Sequence, residues 1–235
     1  MTFLAVADSA GPRGNALSPP EPPSILSRLR LETRGEHDAV EQVLDLIGSS
    51  LTRDGYRHRL EQFYGFYAPL EQALRARCAP LHRRAGGATF AAWPVSMHLA
   101  LVPRLNKTAH LRQDLGHLGV LTATLPLCRE LPPLEGPAQV LGCLYVLEGA
   151  TLGGRLITQH IGTTFGITPT TGGSFFEGYG EDTGKMWQAT RHLLVSSAPD
   201  KQTENTMVDN AIATFACLRR WCEPDEKQPE AHRHA

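Results

Sequence analysis

Neither sign of charge is in excess in this chain, where 23 basic residues face 24 acidic ones for a formal net charge of −1. That balance excludes a general pull toward nucleic acid or an anionic membrane surface, so a cationic site must be a local cluster. Cysteine is sparse. The five residues Cys78, Cys128, Cys143, Cys217 and Cys222 are odd in number and none forms a CxxC pair, which excludes a disulfide framework or a zinc ribbon. Cys143 and Cys217 fall inside apolar helical patterns and read as small core residues. Reduced thiols and a cytoplasmic location are therefore expected. No apolar run reaches the roughly 20 residues of a membrane span. The N-terminal stretch lacks a basic leader and turns Pro-rich at once, so no signal peptide is expected. Strict apolar/polar alternation is nearly missing too, which argues against strands.

What is present fits a globular chain of 235 residues, 41% hydrophobic and 20% charged. Residues 1–24 read as a flexible arm rich in Pro and Gly, including Gly11, Pro12, Gly14, Pro19, Pro20, Pro22 and Pro23. Residues 224–235 read as a solvated polar tail. Between them, residues 25–223 carry helical patterns joined by short Pro/Gly loops. Leu26, Leu29, Thr33, His37, Val40, Leu44 and Ile47 recur at spacings of three and four. Ser24 is the expected N-cap of that helix and Gly48-Ser49-Ser50 its stop. Leu60, Phe63, Tyr67, Leu70 and Leu74 mark a second helix. A third runs through residues 94–105 and breaks near Pro103. The others cover about 110–122, a long stretch after Pro137, a segment from near Asp182, and about 204–222. The expectation is an all-α, single-domain irregular helical bundle.

Two places break a local rule. His37 lies on the apolar stripe of the first helix, while Glu32, Glu36, Asp38 and Gln42 take the polar face. Glu41, one turn on, is placed to reach the ring. A carboxylate accepting from Nδ1–H would leave Nε2 available, as metal-ligating histidines require. A core histidine bonded to a neighbour is the competing reading. The second break is the long helix after Pro137, which contains Gly142, Gly149, Gly153 and Gly154. Each glycine costs about 1 kcal/mol in a helix interior. Gly149 and Gly153 share a face that would admit a flat group up to the backbone or let the helix bend. Close packing against another helix is the alternative. Together the two features suggest a planar metal complex, haem, between the two helices. Histidine would bind its iron on one side and glycines would cover the other. Cations are then needed at the propionate edge; Arg30, Arg34, Lys107, Lys185 and Arg191 are candidates.

The segment LRLETRGEHDAVE, residues 29–41, resembles the proximal helix of haem oxygenases. YVLEGATLGGRLI, residues 145–157, resembles their distal helix, and YRHRLEQFYGFYAPLE, residues 56–71, resembles the second helix of bacterial members. Weaker similarity runs from about residue 26 to 222. The resemblance implies His37 as proximal iron ligand, Glu41 as the acid that orients it, Arg30 near the propionates and Thr33 in the pocket lining. It also implies Gly149, Gly153 and Gly154 as distal glycines, the first two catalytic, with Lys185 and Arg191 as propionate cations. Animal members carry an aspartate where this chain has Ala150, so the acidic distal residue does not carry over.

The implied activity is opening of haem b, both substrate and cofactor, to biliverdin, carbon monoxide and ferrous iron, at the α meso edge. It uses O2 and an external electron donor: a ferredoxin, a reductase or a small reductant. The bacterial members that supply bacteriophytochromes are the most similar in character. Three other readings compete. A haem-binding or trafficking protein without turnover would share His37 and the basic rim, but needs no open oxygen site. A di-iron oxidase needs several inward carboxylates with Glu-x-x-His pairs, and the chain contains none. A structural helical partner would leave both rule breaks unexplained.

Overall fold

The computed structural model describes residues 23–78 and 99–223, and among these the regular structure is helical, with no strand. The expected N-terminal arm and C-terminal tail fall almost wholly outside the described residues, as does the start of the helix expected over residues 94–105. The expected first helix is two: α1 (Ile25–Glu32) and α2 (Arg34–Leu44). Ser24 caps α1 as expected, its hydroxyl accepting from the Ser27 N–H at 3.3 Å. The break falls at Thr33, whose hydroxyl donates to the Leu29 carbonyl at 2.7 Å. Such back-bonding competes with the regular ladder and bends helices. The stop comes earlier than Gly48, because Asp45 adopts a left-handed conformation (φ 40°, ψ 50°) and donates its N–H to Glu41.

The second helix is longer than its apolar stripe: α3 spans Arg53–Cys78 with Pro69 inside it. Proline has no N–H for the carbonyl four residues back. That carbonyl, Gly65, accepts instead from the Cys128 N–H at 2.9 Å. After a 3-10 turn at Val102–Arg104, α4 (Lys107–His117) starts on the carboxylate of Glu71, which accepts from Lys107 N–H at 2.7 Å. The long helix, α5 (Pro137–Phe165), ends on left-handed Gly166. By length and composition α5 could cross a membrane, but 72% of its most apolar window is buried inside the protein.

A short helix that the periodicity did not reveal, α6 (Ser174–Glu177), follows a wide turn at Pro169–Gly173. Its first N–H groups are taken by buried Asp114, which accepts from Ser174 at 2.9 Å and Phe175 at 2.7 Å. The chain then forms α7 (Thr183–Ser196) and α8 (Lys201–Cys222). α5 runs through the centre, packed on α6, α7 and most extensively on α8. Gly142 makes the last contact possible: a Cβ there would collide with the Met207 carbonyl of α8. Val140, Leu144, Met207, Ala211 and Leu218 are among the buried side chains that these two helices contribute to the core.

Candidate active site

α2 and α5 flank an apolar cavity of about 530 Å³. α2 and the segment after it contribute His37, Val40, Glu41, Leu44, Leu46 and Ile47; α5 contributes Val146, Leu147, Ala150, Thr151, Gly153 and Ile157. Phe63, Tyr67, Phe175, Phe176, Phe215 and Leu218 close the remaining walls, with Lys107 among them. A mainly apolar chamber of this size, with His37, Asp38, Glu41, Gln42, Asp45 and Lys107 on its rim and walls, suits a flat hydrophobic ligand held by a few polar groups.

His37 is 9% exposed, and its Nε2 is buried without a hydrogen-bond partner among the described residues. An orphaned buried nitrogen is costly in a protein with nothing to bind. The ring is held edge-on to Phe215, at 5.6 Å between centroids. The carboxylate geometry differs from the sequence expectation. Asp38 Oδ1 lies 3.3 Å from Nδ1, while Glu41 Oε1 lies 3.6 Å from Nε2. The next residue, not the residue one turn on, is therefore the Nδ1 partner. Sequence reasoning put Asp38 on the solvent face and missed it. His37, Asp38 and Glu41 offer ligand atoms within 4.8 Å of one another.

The glycines divide by role. Gly153 lines the cavity. Gly154 does not; a Cβ there would strike the Phe176 carbonyl, so it serves close packing of α6. Gly149 is also outside the lining, and the atom nearest to a Cβ there would be Trp187, at 4.0 Å. It sits between the cavity, lined by its neighbours Val146 and Ala150, and a second, smaller pocket lined by Trp187.

That pocket, about 70 Å³, is formed by Ser24, Leu26, Ser27, Arg30, Tyr145, Trp187 and Arg191. Thr33 is 2% exposed and lies beside the Tyr145 hydroxyl. Burial raises the Tyr145 phenol pKa, against the opposing effects of Thr33 and Arg30. The Trp187 Nε1–H is buried with no acceptor. Arg30 and Arg191 are thus brought together, with an unused N–H beside them. Lys185 is not: its side chain is 83% exposed, bonded to Asp182 at 2.8 Å, and it lines neither pocket.

A buried ionic cluster that borders the cavity through Lys107 was also missed. Glu148, 1% exposed, accepts from Arg104 at 2.9 Å, Lys107 at 2.8 Å and the Tyr179 hydroxyl at 2.9 Å. A lone glutamate inside the apolar run LGCLYVLEGA was the available signal, since a buried carboxylate must be paired.

A family model described as heme oxygenase matches residues 24–224. Among solved structures, the chain is similar to the NO- and CO-bound heme oxygenase from Neisseria meningitidis. Identity is 19% and the TM-score 0.64, with 88% of this chain and 98% of that one covered. It is also similar to the heme oxygenase from Leptospira interrogans, at 18% identity and a TM-score of 0.62, covering 85% of this chain and 98% of that one. No curated protein sequence matches significantly. With the family match spanning almost all of the described residues, the chain belongs to the haem oxygenase family.

Proposed function

We propose that this haem oxygenase binds haem b in the α2–α5 cavity through His37 and converts it to biliverdin, carbon monoxide and ferrous iron. The observation that carries the site is the buried, unpartnered Nε2 of His37 facing an apolar chamber. Imidazole is a common proximal ligand of haem iron. Haem bound there would supply both the redox iron that handles dioxygen and the ring that is oxidised. Asp38 accepting from Nδ1–H would fix the tautomer and keep Nε2 basic. Glu41 stands beside Nε2 and sets the local negative charge.

On the other wall, Gly153, with Ala150 and Thr151, brings backbone instead of bulky side chains to the ligand. The apolar walls exclude water from it. Arg30 and Arg191, which share the small pocket, are the proposed propionate cations. A haem-carrying role without turnover is not favoured, because the family is one of haem-degrading enzymes. Further proposals rest on the resemblance of residues 29–41, 56–71 and 145–157 to bacterial members. They are attack at the α meso edge, a ferredoxin, reductase or small reductant as donor, a bacteriophytochrome as biliverdin acceptor, and a cytoplasmic location.

The test is an optical titration with hemin, followed by reductant in air, beside His37→Ala. The expected outcome is a 1:1 Soret complex that gives way to a biliverdin spectrum, with the complex or turnover damaged in the variant. A stable complex that never loses its Soret band under several donors would mean a carrier. No complex at all would overturn the haem site.

A further inference from the structure

The distal position that holds an acid in animal members is Ala150 here, and Thr151 beside it spends its hydroxyl proton on the Glu148 carbonyl, at 2.6 Å. Along the α5 wall of the cavity there is therefore no strong side-chain donor. A side chain that carries such a donor lines the cavity from another element. Lys107, the first residue of α4, is 7% exposed yet lines the cavity. Among the described residues its ammonium has one hydrogen-bond partner, Glu148, and lies 5.3 Å from the centre of the Tyr179 ring. An ammonium carries three N–H donors. Burying one with donors to spare is costly unless something in the adjoining space accepts them.

The cluster holds this ammonium in place. Glu148 is fixed by Arg104 and Tyr179 as well as by Lys107, so the lysine's head cannot swing away without breaking a buried pair. Its backbone is pinned too, because Lys107 N–H donates to Glu71 of α3. The charges around Lys107 are thus Glu148 from α5, Glu71 from α3 and Arg104 from the preceding turn, with the ring of Tyr179 beside its ammonium. Arg30 and Arg191, the cations proposed for the carboxylate edge, lie in the other pocket.

Resting on the haem reading above, we propose that Lys107 is the cavity's hydrogen-bond donor toward oxygen held on the ligand's metal. In that role it takes the place of the acid missing at position 150, and Glu148 is its positioning residue. A fixed cation of this kind stabilises an anion held in the cavity and orders a water there.

The test uses hemin-loaded protein and three variants, Lys107→Met, Lys107→Arg and Glu148→Gln, each first checked for its helical spectrum and a 1:1 Soret complex. The readout is the pH midpoint of the alkaline Soret shift, which reports an anion forming in the cavity. Removing a nearby cation raises that midpoint, and removing its counter-charge lowers it. The expected result is a rise of about one pH unit in Lys107→Met, a midpoint near the parent's in Lys107→Arg and a fall in Glu148→Gln. Hemin affinity should change by less than about threefold in Lys107→Met.

If Glu148→Gln fails to fold, the contrast of methionine with arginine at Lys107 still decides. An unmoved midpoint with a tenfold or greater loss of hemin affinity in Lys107→Met would overturn the proposal and make Lys107 a carboxylate clamp. An unmoved midpoint and unmoved affinity would reduce it to a structural ion pair. Failure of the parent protein to bind hemin would instead sink the haem reading itself.

Discussion

His37 illustrates what a single residue can reveal from sequence. Its place on an apolar stripe announced an inward imidazole, and the structure places that imidazole on a cavity with its Nε2 unpartnered. The identity of the supporting carboxylate was not legible. Asp38 and Glu41 both lie within reach of the ring, and helical spacing favours i+4 over i+1. Side-chain rotation, invisible in a periodicity, brought Asp38 to Nδ1 at 3.3 Å. Loss of a carboxylate that holds a ligating histidine costs about 10–100-fold in metal affinity. Since Asp38 is half-exposed, the lower figure applies. Asp38→Asn should weaken hemin binding about tenfold by Soret titration, and Glu41→Gln should weaken it less. The reverse order would return the orienting role to Glu41.

At the level of elements, α5 contains five glycines, Gly142, Gly149, Gly153, Gly154 and Gly162, and a sequence cannot say which of them faces a ligand and which faces a helix. The structure separates them by what a Cβ would meet. At Gly142 it would meet the backbone of α8, which cannot yield as a flexible side chain can. At Gly149 the nearest atom is 4.0 Å away, an ordinary contact. Alanine gains about 1 kcal/mol over glycine within a helix, whereas overpacking costs about 1–3 kcal/mol. Gly149→Ala should therefore leave the thermal midpoint of the haem-free protein unchanged or raise it by about 2–4 °C. Gly142→Ala should lower it by a similar amount or more. Equal effects in calorimetry would refute this division of roles.

The break at Thr33 and the helix α6 were also hidden from sequence. The first depends on a single hydroxyl back-bond to Leu29 that apolar periodicity does not register, and the second on Asp114 of another helix. By contrast, the long apolar runs of α3, α5 and α8 were legible, because burial imposes their period directly.

Across the whole molecule, α1 is tied to α8 through Arg28, which bonds Glu32 at 2.8 Å and Glu204 at 3.0 Å. Burial alone would raise the Glu204 pKa, but hydrogen bonds from Arg28 and Lys201 hold it below the ordinary 4.5. A carboxylate depressed in the folded state contributes stability above its unfolded pKa and loses it as pH falls through the folded value. Denaturant midpoints of the parent and Arg28→Met should thus differ at neutral pH and converge as pH drops below about 4.5. Parallel curves across that window would remove Glu204 from the account.

The cavity between α2 and α5 has a consequence for the life of the folded chain. The cavity, about 530 Å³, has largely apolar walls, so a flat ligand seated there buries apolar surface. If hemin binds there as proposed, a hundredfold excess over Kd adds about 2.7 kcal/mol to the unfolding free energy. Hemin should accordingly raise the melting temperature, and the gain should vanish as the ring is opened and leaves. Each turnover would then destroy the ligand that stabilises the molecule, so the enzyme is at its most fragile when its supply of haem is exhausted.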